Sequence, residues 1–263
     1  MSYCIEVQNL SVEYHQQEIL HNIHFTLGKG KILGIAGESG SGKSTLLKAC
    51  LGILGEQGNY RTGNILYQGQ DLCQLSEKQW QKLRGKAIGM IFQNATASFC
   101  PVRRLGEQMI ETLDKRDRRA AKQLALAWLE KLGFQDAEAI YQCYPAELSG
   151  GMNQRVAIAL AMMSHPDLLL ADEPTSALDN LLSQQVVMGL KALVQENHTS
   201  MIIVSHSLKV LVRLADELMI LHEGKCIEYG KTETLLYFPC HPFTRQLIEA
   251  WKWSEWHETD AGH

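Results

Sequence analysis

Residues 31–45 read KILGIAGESGSGKST, and everything else in the chain is read outward from them. The apolar run 31–36 has the make-up of a buried strand, and residues 46–54 are good helix formers. Between them Gly37, Glu38, Ser39, Gly40, Ser41, Gly42, Lys43, Ser44 and Thr45 fit the spacing Gly, four free positions, Gly-Lys-Ser. Glycines without a Cβ let successive backbone N–H groups turn inward around phosphate oxygens, and the helix that follows aims its positive end at the same point. Lys43 adds a point charge for β- and γ-phosphates, and the Ser44 hydroxyl can ligate Mg²⁺. A flexible Gly/Ser turn has the same bare pattern; the strand before it and the helix after it argue against that alternative.

The segment ahead of this loop alternates apolar and polar residues over 4–14 (CIEVQNLSVEY), as a half-buried antiparallel strand does, and a second run over 19–27 completes a hairpin. Tyr14 ends the first strand, where its ring can either stack on a base or simply pack. Past the loop's helix, residues 55–63 are rich in turn formers and 63–72 read as strand, turn, strand. Ser76 with Gln79 three residues on predicts a capping box opening a helix that Gly85 ends. A buried strand over 87–92 (AIGMIF) closes on Gln93, an uncharged polar residue at the strand end where ligands of open α/β sheets sit.

From 94 to 147 the pattern turns helical, with Leu124, Leu126, Trp128, Leu129 and Leu132 expected as the apolar stripe of a helix over 117–132. LSGGM (148–152) follows, and Ser149, Gly150 and Gly151 at a helix start form a second cluster of outward N–H groups, chemically a second anion site. The strand LLLA (168–171) runs into Asp172 and Glu173. Acids there suit a Mg²⁺ ligand and a base that orients water; N-capping of the next helix is the alternative, and the apolar strand makes it the weaker one. Asp179 caps the helix expected to reach about residue 196. A strand over 200–205 delivers His206 to the same edge. A hairpin turning at Glu223–Gly224 and a helix from Pro242 with Phe243, Leu247, Ile248 and Trp251 on one face end the chain.

Composition narrows the class. The chain of 263 residues is 45% hydrophobic and 21% charged with net charge −4, which disfavours nucleic acid as the main partner. Seven scattered cysteines, none in a C-x-x-C pair, indicate reduced thiols rather than a disulfide framework or zinc site. No apolar run approaches a membrane span and no secretory leader is read at the start, so membrane contact is expected through a partner.

Taken in order, Tyr14, GESGSGKST, Gln93, LSGGM, LLLADE, SALD (176–179) and His206 resemble the nucleotide-binding subunit of ABC transporters over nearly the whole chain. The resemblance implies an α/β P-loop ATPase with a mixed, largely parallel sheet core, an N-terminal antiparallel β subdomain and an inserted helical subdomain. The expected organisation is one ATPase domain over 1–263, the helical part at roughly 94–164 and a short C-terminal extension from roughly 230. It implies ATP and Mg²⁺ as ligands: Tyr14 on adenine, residues 37–45 on the phosphates, Ser44, Gln93 and Asp172 on the metal, Gln93 also reaching the attacking water, Glu173 as general base, and His206 at the γ-phosphate. It also implies a head-to-tail dimer in which Ser149, Gly150 and Gly151 complete a neighbour's site and Asp179 lies in the loop crossing that interface.

A narrower resemblance joins LSEKQWQKLRGKAIGMIFQ, PVRRLGEQMIETL, LSGGMNQR and the ending with Pro239, His241, Pro242, Phe243 and Thr244 to the ATPases of dipeptide, oligopeptide and nickel importers. It implies a different, homologous ATPase as dimer partner, two membrane permease subunits, an external solute-binding protein, and a place on the cytoplasmic face of the membrane. The chain departs from the pattern at Asn94–Ala95, Cys100 and Ser205–His206–Ser207, which bears on permease docking. The shortness after the Pro-Phe-Thr segment is similar to the nickel subunits, so nickel or a metal chelate is the expected cargo, with peptides as the alternative. ABC-type ATPases acting on DNA or ribosomes share the catalytic motifs, but they usually carry long coiled coils or two ATPase domains. This sequence has one phosphate loop and no sustained heptads. A regulatory subunit with little hydrolysis is disfavoured by the presence of Glu173 and His206.

Overall fold

The computed structural model describes residues 3–113, 117–176, 178 and 180–260, without the side chains at 180–182, 185 and 253–260. In chain order the elements are β1 (Tyr3–Tyr14), β2 (Gln17–Gly28), β3 (Ile32–Ala36), α1 (Lys43–Leu51), β4 (Gly58–Tyr67), β5 (Gln70–Asp71), α2 (Glu77–Leu83) and β6 (Ile88–Ile91). They continue with α3 (Leu105–Glu111), α4 (Arg118–Lys131), α5 (Ala137–Gln142), α6 (Gly150–Met162), β7 (Leu168–Asp172), α7 (Asn180–Glu196) and β8 (Ser200–Val204). The last are α8 (Leu208–Leu214), β9 (Glu217–His222), β10 (Lys225–Lys231), α9 (Thr232–Tyr237) and α10 (Pro242–Asp260). Two compact units divide the chain, one of residues 1–74 and 202–263, the other of 75–201.

The first unit holds an antiparallel sheet in the order β2-β1-β4-β5 and a mixed run of strands in the order β10-β9-β3-β8. Alternation in β1 and β2 produces one core face: Ile5, Val7, Leu10, Val12, Leu20, Ile23, Phe25 and Leu27 are all fully buried. β3 reads as a continuous apolar run because all five of its residues are buried, as befits a strand covered on both faces. It pairs parallel with β9, Ile35 facing Met219 and Ala36 facing Ile220, and β9 pairs antiparallel with β10. The Asp216 carboxylate fastens the entry of β3, accepting the Ile32 N–H at 2.9 Å and the Lys31 amine at 3.0 Å. Glu223 and Gly224, with φ of 45° and 72°, form the tight hairpin turn expected between β9 and β10.

The second unit pairs β6 parallel to β7, Ile88 facing Leu168 and Ile91 facing Ala171, and carries the helices α2 to α7. The capping box at α2 forms, with the Ser76 N–H donating to Gln79 Oε1 at 2.9 Å. Asp117 caps α4 by accepting the N–H groups of Arg119 and Ala120. Here one expectation is corrected: the buried face of α4 is Ala121, Ala125, Trp128 and Leu129, while Leu124, Leu126 and Leu132 are only half-buried. Small alanines let the neighbouring helices approach, so size rather than hydrophobicity decides which face goes inward.

Boundaries also shift elsewhere. The turn after α1 is shorter than expected, β4 beginning at Gly58, whereas α6 begins at Gly150, at the helix start expected in LSGGM. α9 forms although nothing in the sequence was read as announcing it. Burial pushes the thiols of Cys50 and Cys73 up to about 12 and that of Cys226 up to about 11, so these three remain protonated, inert packing groups at neutral pH. No helix among the described residues is long and apolar enough to cross a membrane.

Candidate functional site

The phosphate loop leaves β3 at Gly37 and enters α1 at Lys43, the strand–loop–helix context the motif requires. Its glycines answer to specific geometry. A Cβ on Gly37 would run into the Leu221 carbonyl oxygen, and Gly42, at φ 98°, is the left-handed N-cap of α1, where a Cβ would meet Leu20 Cδ2 at 2.6 Å. The loop is thus wedged between β9 and β2. Lys43, only 5% exposed, donates from Nζ to the carbonyls of Gly37 at 2.9 Å and Glu38 at 2.6 Å, turning the loop around its own ammonium group.

The Ser41 Oγ is buried without a hydrogen-bond partner, on the side of the loop where a Cβ of Gly37 would meet it at 2.9 Å, and the Ser41 N–H donates to the Glu38 carbonyl at 3.2 Å. A turn of backbone around a buried ammonium fits an oxyanion such as a phosphate. Helix α1 adds its N-terminal field, and no acid lies in its first turn to cancel it.

Two further candidates belong to the same unit. Tyr14 pairs with Gly58 across β1 and β4, and its ring lies on that bare Cα: a Cβ on Gly58 would approach Tyr14 Cε1 to 2.8 Å. Burial raises the Tyr14 phenol above its ordinary value, so the ring stays neutral. His206 follows β8. The buried Ser205 donates its N–H to the Ile35 carbonyl of β3 at 3.4 Å and accepts the Ser207 N–H on Oγ at 3.1 Å, so the exposed His206 leaves the sheet beside the exit of β3 into the loop.

The second unit holds Gln93, Asp172, Glu173 and the LSGGM segment. Gln93 is exposed just past β6. Asp172 ends β7 at 7% exposure, and Glu173 follows at 6% in the left-handed conformation, φ 49°. Because α7 begins only at Asn180, neither acid sits at its N-cap, which removes the capping alternative. Ser149 caps α6 by accepting the Met152 N–H on Oγ at 3.2 Å, while Ser149 and Gly150 are exposed. Asp179 lies outside the described residues.

Ser44, Gln93 and Asp172 offer hydroxyl, amide and carboxylate oxygens, the donor class that Mg²⁺ takes. Among the described residues no group of three or more His, Cys, Asp or Glu is arranged to hold a metal. Sequence reading missed two features here. One is the buried Gln154, whose amide atoms have no hydrogen-bond partner; the other is a cleft of about 340 Å³ between α3 and α4, where Arg103 pairs bidentately with Glu111 at 2.9 and 2.7 Å. Neither carries a motif, since each arises from residues whose meeting only packing decides.

The model of the ABC transporter family matches residues 20–176. Over 235 residues the chain is 39% identical to the oligopeptide transport ATP-binding protein AmiE of Streptococcus pneumoniae, covering 88% of this chain and 66% of that protein, somewhat less than two thirds of its length. It is 35% identical over 253 residues to the metal-staphylopine import system ATP-binding protein CntD of Staphylococcus aureus, covering 94% of this chain and 93% of that one. Among solved structures, the ATP-binding cassette MJ0796, a dimer in a post-hydrolysis state bound to ADP and Pi, superposes with a TM-score of 0.76 at 26% identity, covering 87% of this chain and 98% of that one.

Proposed function

Because the chain belongs to the ABC transporter family, we propose that it is the ATP-binding and ATP-hydrolysing subunit of an importer, driving uptake through a separate membrane permease from the cytoplasmic face. The observation that carries this reading is the glycine loop between β3 and α1 curled around the buried Lys43 amine. Such a loop, with a cationic tip at the N-terminus of α1, is complementary to a phosphate chain.

Each residue then has one task. Tyr14 stacks on the adenine, backbone N–H groups of residues 37–45 and the Lys43 ammonium hold the phosphates, and His206 contacts the γ-phosphate. Ser44, Gln93 and Asp172 would hold Mg²⁺, which supplies charge neutralisation on the β- and γ-phosphate oxygens. Glu173 accepts a proton from the attacking water and orients it in line. Ser149, Gly150 and Gly151 close the site of a second, homologous ATPase chain, with Asp179 in the interface loop. The organisation we favour is a single ATPase domain with its helical insertion at roughly 94–164 and an extension from roughly 230.

Relatives are named for oligopeptide, dipeptide and metal-staphylopine transport. No residue of an ATPase subunit is asked to touch cargo in this reading, so we propose an importer of peptides or metal chelates, nickel included. Disrupting the gene and following cellular nickel and uptake of a labelled dipeptide tests it. Loss of either identifies the cargo, and unchanged nickel and dipeptide together would remove both named cargoes. The ATPase assignment is tested separately, by hydrolysis in the assembled transporter.

A further inference from the structure

We propose that Phe243, in the first turn of α10, is a positioning residue for the phosphate loop and acts on it through His222. The loop is touched on both sides of His222 by the β9–β10 turn. On one side the Leu221 carbonyl oxygen occupies the space a Cβ of Gly37 would need; on the other the Gly224 N–H donates to the Ser41 carbonyl at 3.2 Å. The same turn is tied to β2, since the Gly224 carbonyl accepts the His21 N–H at 2.8 Å. His222 stands between these contacts with Nδ1 at 3.9 Å from Glu38 Oε2 of the loop.

That charge contact alone holds little. It is longer than a hydrogen bond, and the Glu38 side chain is 66% exposed, so solvent screens it. The ring is fixed instead from its other side: Phe243 stacks on His222 with centroids 4.1 Å apart and planes 31° from parallel. His222 Nδ1 is buried there without a hydrogen bond, so stacking rather than polar pairing sets its place.

Phe243 can act as a buttress because its own segment is anchored. Thr244 and Ile248 are buried, the Cys240 N–H donates to Glu228 Oε1 at 2.7 Å, and Arg245 donates back to the carbonyls of Pro239 at 3.0 Å and Cys240 at 3.2 Å. A rigid path therefore runs from β10 through Phe243 and His222 to Leu221, Gly224 and the loop. A loop whose backbone is already held in place spends less ordering entropy when an anion binds. The residue is remote from the phosphate loop in sequence and belongs to the Pro-Phe-Thr segment, to which the resemblance assigns no part in nucleotide binding.

The inference rests on the reading of residues 37–45 as the phosphate site, and its test separates the two. ATP affinity of the full chain is measured by calorimetry for Phe243→Ala, Phe243→Leu, Phe243→Tyr, His222→Ala, the Phe243→Ala/His222→Ala pair and Lys43→Ala, with thermal unfolding alongside. Phe243→Ala and Phe243→Leu are expected to weaken ATP binding by about tenfold, the scale of a lost aromatic pair, while Phe243→Tyr retains it. The double variant should be no weaker than His222→Ala, because the two residues act in series. A role in stability alone would let Phe243→Leu restore affinity and would make the two losses add, and either result overturns the proposal. Unchanged affinity in Phe243→Ala with binding lost in Lys43→Ala does so as well. If Lys43→Ala also binds ATP normally, the phosphate-site reading itself has failed.

Discussion

Glu173 sits at φ 49°, a conformation that costs a non-glycine residue about 1 to 3 kcal/mol and persists only where the surroundings impose it. The surroundings are visible: its carbonyl accepts both the N–H of Ser176 at 3.2 Å and the Ser176 hydroxyl at 3.1 Å, pinning the backbone as it leaves β7. Strain of this kind holds a carboxylate in a set direction, which suits a base better than a capping group. Glu173→Gln keeps the shape and removes the proton acceptor. ATP affinity should therefore stay within about twofold, while hydrolysis in the assembled transporter falls by about 10²-fold or more, the usual contribution of a positioned base. Hydrolysis at the wild-type rate in that variant would rule Glu173 out as the base.

At the scale of elements, α6 shows how a motif and a core share one helix. Its first residues, opened by the Ser149 cap, are exposed, whereas Val156, Ile158, Ala159 and Met162 are buried. Between these faces Asn153 donates from Nδ2 to the Pro145 carbonyl at 2.9 Å and holds the preceding turn, and the Arg155 guanidinium lies 4.2 Å over the Phe134 ring. Burial lowers the Arg155 guanidinium below its ordinary value without bringing it near neutrality. Gln154, 1% exposed with both amide atoms unpaired, is an energetic weak point of the helix. Gln154→Met keeps the volume and removes the unsatisfied amide, so chemical denaturation should show a gain of about 1 kcal/mol. A comparable loss would mean that the amide is paired in solution.

The whole chain carries one phosphate loop and one LSGGM cluster, and the exposed Ser149 and Gly150 are not used by their own helix beyond the cap. On the proposed function the purified chain should turn over ATP slowly, because its cluster serves a neighbour's nucleotide. Affinity purification from the native host, at low detergent, is expected to recover a second, homologous ATPase and one or two permeases together with this chain. Recovery of a fully active homodimer alone would defeat the heterodimer arrangement.

Local signals in the sequence were sufficient for much of this. Apolar runs bounded by glycine or polar residues placed β3, β6, β7 and β8; Ser76 with Gln79 marked the start of α2; Glu223–Gly224 marked the last hairpin. The proposed site residues rest on signals of the same kind, since turned backbone, a cationic tip and acids at strand ends are properties of a few consecutive residues. Packing decided the rest. The inward face of α4 follows the small Ala121 and Ala125 rather than the larger leucines, because close approach of helices depends on what stands opposite. The orphaned Gln154, the Arg103–Glu111 cleft, and the stack of Phe243 on His222 behind the phosphate loop join residues with no shared local pattern. A sequence states which groups the chain owns; only the tertiary fold, by bringing remote segments within a few ångströms, decides which of them press on one another.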